Sequence, residues 1–99
     1  MRIKTYDIGD LIRLRGSFAN LDGDSVDPTN VAISYRRETG SITTKTYPDD
    51  DEIVRTEAGE FYMDIEVDDD GVWHYRVAGT GAVISAAERQ FNVRPSNFV

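Results

Sequence analysis

The sequence predicts an all-β protein: a sandwich of seven to eight short antiparallel strands, in one domain over residues 1–99. Three observations predict it. Apolar and polar residues alternate with period two in several stretches, most clearly in Gly71–Gly79, where Trp73, Tyr75 and Val77 interleave with Val72, His74 and Arg76. Turn-forming Gly, Asp, Asn and Pro recur at near-regular spacing between those stretches. No stretch has helical periodicity, and 99 residues with 39% apolar content are enough for one core.

The elements follow in order. Arg2–Tyr6 is a short alternating start, and Asp7–Asp10 is a bend. Leu11–Phe18 turns Ile12, Leu14, Gly16 and Phe18 inward and Arg13, Arg15 and Ser17 outward. Asp22-Gly23 marks a turn, and Val26–Asn30 is an extended loop because Pro28 cannot donate to a central ladder. Val31–Arg37 places Val31, Ile33 and Tyr35 on one face. Ile42–Tyr47 is threonine-rich and weakly amphipathic, which reads as an edge strand. After the charged loop Pro48–Glu52, Ile53-Val54 adds a brief strand. Glu60–Val67 points Phe61, Met63, Ile65 and Val67 inward. Asp68–Asp70 closes on Gly71 and leads into the tryptophan strand, which is expected at the centre of the core. Gly79–Gly81 turns the chain into Val83–Val93, with Ala87, Phe91 and Val93 inward, and Pro95 ends it.

The expected core is therefore Ile12, Leu14, Phe18, Ile33, Tyr35, Phe61, Ile65, Trp73, Tyr75, Val77 and Phe91. On the outer faces, Arg13 and Arg15 are expected across from Asp64 and Glu66, and Ser34, Arg36, His74 and Arg76 share the other side.

Composition narrows the chemistry. Eleven Lys and Arg against 18 Asp and Glu give a net charge of −7, the wrong sign for a nucleic-acid partner. The absence of cysteine excludes disulfides and thiolate metal sites and suits a protein kept in the cytoplasm. Met1–Asp7 turns polar too early for a signal peptide, and no apolar run approaches the roughly 20 residues of a membrane helix. His74 is the only histidine, so no histidine-based triad or two-histidine metal site can form, and no serine sits in a Gly-x-Ser-x-Gly elbow. Catalytic, cofactor and metal residues are expected to be none. Asp22-Gly23-Asp24 with Asp27 lacks the bidentate Glu of a calcium loop and reads as a plain turn. The acidic runs Asp49–Glu52 and Asp68–Asp70 read as solvated loops rather than a shared cation site. Tyr6, Tyr47, Tyr62 and Phe98 are the candidate partner contacts, because exposed aromatics bury a large rigid area on docking.

An acidic turn, a glycine and two aromatics two residues apart is how the strand after the E–F corner of an immunoglobulin-like sandwich begins. That sandwich is the expected one, with Tyr75 filling the volume of the missing second cysteine. Several stretches, in order, resemble small immunoglobulin-like structural proteins of tailed bacteriophages and prophages. They are Tyr6–Asp10, Asp22-Gly23 with Val26–Thr29, Gly59–Tyr62, Gly71–Arg76, Gly79–Ala82, Ala86–Glu88 and Phe91–Ser96. Gly-x-Trp-x-Tyr recurs in unrelated sandwiches, so the specificity lies in the ordered set. The acidic loop at 49–52 departs from the family pattern.

The resemblance implies a non-enzymatic virion protein, made in the host cytoplasm: a capsid decoration, head-completion or tail-associated subunit. Its partners would be other virion proteins (capsid, neck or tail) or further copies of itself, with no nucleic acid and no membrane. The edge Ile42–Tyr47, the first strand Arg2–Tyr6 and the ending Phe98-Val99 are the expected docking elements, since an unpaired edge can extend a neighbour's sheet. The competing reading is an immunoglobulin-like binding module of a bacterial surface adhesin or carbohydrate-active protein. A chain running from Met1 to Val99 without tandem repeats reads as a complete protein and favours the first.

Overall fold

Two sheets stack face to face in the computed structural model, which describes residues 4–98. The strands are β1 (Thr5–Asp7), β2 (Leu11–Ser17), β3 (Asn30–Arg37), β4 (Thr43–Tyr47), β5 (Ile53–Glu57), β6 (Glu60–Glu66), β7 (Gly71–Thr80) and β8 (Ser85–Arg94). One sheet runs β1-β8-β7-β3-β4 and the other β2-β6-β5. The chain is thus the all-β sandwich that its alternation predicts. One pairing departs from an antiparallel set: β1 lies parallel to β8, with Thr5, Tyr6 and Asp7 opposite Asn92, Val93 and Arg94. Arg2 and Ile3, expected in the first strand, and Val99 lie outside the described residues.

Period-two alternation builds the core between the sheets. β2 contributes Ile12 and Leu14, with Phe18 just beyond its end, and β6 contributes Phe61, Met63 and Ile65, followed by Val67. The opposing sheet supplies Val31, Ile33, Trp73, Val77, Phe91 and Val93. Tyr35 and Tyr75 are only partly buried and pack against this cluster. Trp73 sits between Phe91 (centroids 6.0 Å apart) and Tyr35 (6.5 Å), stacked on both. β7 carries it mid-sheet, between β8 and β3.

The structure moves several expected features. β7 runs on through Gly79, which pairs with both Val31 and Ser85, so the turn begins only after Thr80. A Cβ on Gly79 would lie 2.7 Å from both the Phe18 ring and Pro28, so both side chains sit close against the strand there. β5 is five residues long, not two. Arg13 faces Asp64, but Arg15 faces Tyr62, and Glu66 lies opposite Leu11. Ser34 faces Arg76 and Arg36 faces His74. Ala87 lies opposite Val77 on the inner side of β8 yet is exposed, as is every residue from Ser85 to Gln90. Burial returns only at Phe91 and Val93, because nothing lies over the first half of the strand.

Candidate docking surfaces

The exposed half of β8 opens onto a cleft of about 180 Å³ between the two sheets. β2 forms one wall and is an edge strand, pairing with β6 alone. Gly16 lets that wall sit close on its neighbour, since a Cβ there would clash with Val77. β7 and β8 supply the floor, with Tyr75, Val77, Ala87 and Arg89 lining it. Tyr6 closes the same flank one step further along, its ring edge-on to Phe91 at 5.6 Å. β1 reaches only Asn92–Arg94, so the cleft starts where its cover stops. Burial against Phe91 and its neighbours pushes the Tyr75 phenol above its ordinary range, opposed by the nearby charge of Arg89.

The backbone of β2 is open along this cleft. Phe18 N–H donates to Gly59 and Val67 N–H to Asp10, which fixes the phase of the ladder with β6. The alternation of an antiparallel pair then aims the N–H and C=O of Arg13, Arg15 and Ser17 away from β6.

Arg13, Arg37, Lys45, Arg55, Arg76 and Arg94 each hold a carboxylate. Among the described residues, Lys4, Arg15, Arg36 and Arg89 have none, and of these Arg15 and Arg89 line the cleft. Arg89 instead donates through Nη1 to the carbonyl of Glu88.

The candidate contacts of the sequence scatter. Tyr6 and Tyr47 are not free aromatics: Tyr6 packs on Phe91, and Tyr47 packs on Phe61 at 5.0 Å. Tyr62 lies on the outer face of the three-stranded sheet with the Arg13 guanidinium 3.7 Å over its ring. Phe98 is 95% exposed. The structure brings none of these four together with another. Leu21, at 107% exposure, projects from the turn at Asp22-Gly23, and Ile84, at 85%, lies just before β8, which starts at Ser85 and not at Val83 as expected.

The acidic loops are structural. Asp50 accepts from Thr46 N–H at 2.8 Å, and Glu52 pairs with Lys45 at 2.9 Å. Arg37 donates to the Asp70 carbonyl and pairs with Asp69 at 3.0 Å, tying the 68–70 turn to β3. Asp27 accepts from Gly59 N–H and from Arg55 Nε, both at 2.8 Å, and the Gly59 bond first, then Arg55, holds its carboxyl below the ordinary range. His74 lies 3.8 Å from Glu38, too far for a good hydrogen bond. Among the described residues no three His, Asp or Glu side chains gather as a metal site would need, and no charged residue is buried. What this surface can do is bind: open backbone, a small apolar floor and two unpaired cations are grouped on one flank. No protein-family model matches the chain, and neither does any curated protein or solved structure.

Proposed function

We propose that this chain is a non-enzymatic virion structural protein of a tailed phage, an immunoglobulin-like domain that acts by docking on other virion proteins. The open flank between β2 and β8 carries the docking part of this reading, because it offers unpaired backbone on a rigid support. The ordered stretches from Tyr6–Asp10 to Phe91–Ser96 carry the virion setting.

Two features support the immunoglobulin-like part. With β1 and β4 set aside, β2, β6 and β5 form one sheet and β3, β7 and β8 the other, the division that such sandwiches use. At the corner before β7, the Trp73 indole N–H donates to the Asp69 carbonyl at 3.2 Å. This does the work of the tyrosine that ties the same corner in such domains. The departure is β1, which joins β8 and leaves the edge of β2 uncovered.

The adhesin or sugar-binding alternative needs free aromatic faces. Tyr62 carries Arg13 on its ring and Tyr47 is packed on Phe61, so neither offers a clear stacking platform.

The test is quantitative mass spectrometry of gradient-purified particles from cells that carry the gene. A fixed ratio of this chain to the major capsid protein is expected. Particles that assemble and infect without it would overturn the virion reading.

A further inference from the structure

We propose that the open half of the β2–β8 flank is a receptor groove for one extended strand of another protein. The guest strand alternates apolar side chains with polar ones and carries carboxylates that reach Arg15 and Arg89. This deepens the docking reading above and rests on it for its biological setting only.

The geometry sets the guest's chemistry. A strand laid along β2 meets the outward N–H and C=O groups of Arg15 and Ser17, so its main-chain bonds are supplied whatever its sequence. Side chains alternate across a strand, so every second one turns down onto Tyr75, Val77 and Ala87. The cleft of about 180 Å³ gives those inward side chains an apolar floor to pack on. Arg89 lies on the same inner side as Ala87 and Phe91, so it meets an inward carboxylate. Arg15, on the outer side of β2, meets one on the guest's outward face.

A second copy of this chain is the poorer guest. Of its other edge strands, β4 and β5 carry Lys45 and Arg55 in mid-strand, which would face the two groove arginines, and β1 is only three residues long with its one carboxylate, Asp7, already paired with Arg94. Two chains of charge −7 also repel.

The test is an amide-resolved NMR titration of the isolated protein. Two synthetic peptides serve as probes, each alternating valine and threonine, one with two aspartates and the other with lysines in their place. The aspartate peptide is expected to shift the amides of Arg15, Ser17, Tyr75, Ala87 and Arg89, and the lysine peptide to bind at least about tenfold more weakly. The double variant Arg15→Glu with Arg89→Glu should reverse that preference. Both side chains are exposed, so the variant's spectrum should otherwise match the parent and report an intact fold. No shift at these amides up to millimolar peptide, or equal shifts with both peptides, overturns the proposal. So does concentration-dependent self-association through the same amides, which would make a second copy the guest. The isolated protein is used, so this result is independent of whether the chain is found in particles.

Discussion

Trp73 links packing and turn geometry in one side chain. It is 5% exposed, stacked between Phe91 and Tyr35, and its N–H holds the Asp69 carbonyl. Trp73→Ala should cost about 3–5 kcal/mol in urea unfolding followed by circular dichroism, as expected for emptying a large aromatic site. Trp73→Phe keeps a ring in the stack and loses mainly the hydrogen bond, a loss of about 1 kcal/mol. His74→Ala, on the outer face of the same strand, should change stability by no more than about 0.5 kcal/mol.

Asp27 gives a pH dependence. Its folded pKa is depressed by the Gly59 and Arg55 bonds, and those of Asp64 and Glu52 are depressed by Arg13 and Lys45. A depressed carboxylate stabilises the fold above the unfolded-chain value of about 4 and ceases to as pH falls through the folded one. The urea midpoint should therefore hold from neutral pH down to about 4 and fall below it. Asp27→Asn should lower the neutral-pH midpoint and flatten that acid slope.

At the scale of elements, β2 is bonded on one side and open on the other. Hydrogen exchange should show fast amides at Arg15 and Ser17 between slower ones at Leu14, Gly16 and Phe18. Equal protection along the strand would mean that its free edge is covered. β7 shows the converse, being paired on both sides through Gly79. Gly79→Ala drives a methyl into Phe18 and Pro28, and should destabilise by about 1–3 kcal/mol through overpacking.

For the whole molecule, charge and edges work against each other. Open strands at β1, β2, β4 and β5 invite edge-to-edge pairing, and a net charge of −7 opposes it. Sedimentation velocity at low ionic strength should give a monomer of 11.1 kDa. A dimer there would argue against a foreign guest for the groove.

The sequence by itself determined where each strand lies, though not where β5, β7 and β8 begin or end, and which side of each strand is apolar. The alternation of Ile12 with Leu14, of Phe61 with Met63 and Ile65, and of Trp73 with Val77 is a local property, because the side-chain period of a strand is two. Tertiary structure decided everything that depends on what lies across a gap. Ala87 has the inward parity but is exposed, since the cover over β8 ends with β1. Arg13 found Asp64 while Arg15 found none, because register sets partners and both arginines look alike in a polar row. The joins of Asp27 to Gly59 and of Arg37 to Asp70 span 32 and 33 residues, so no local pattern could signal them. The groove is of the same kind: the absence of a neighbour, visible only once every strand has taken its place.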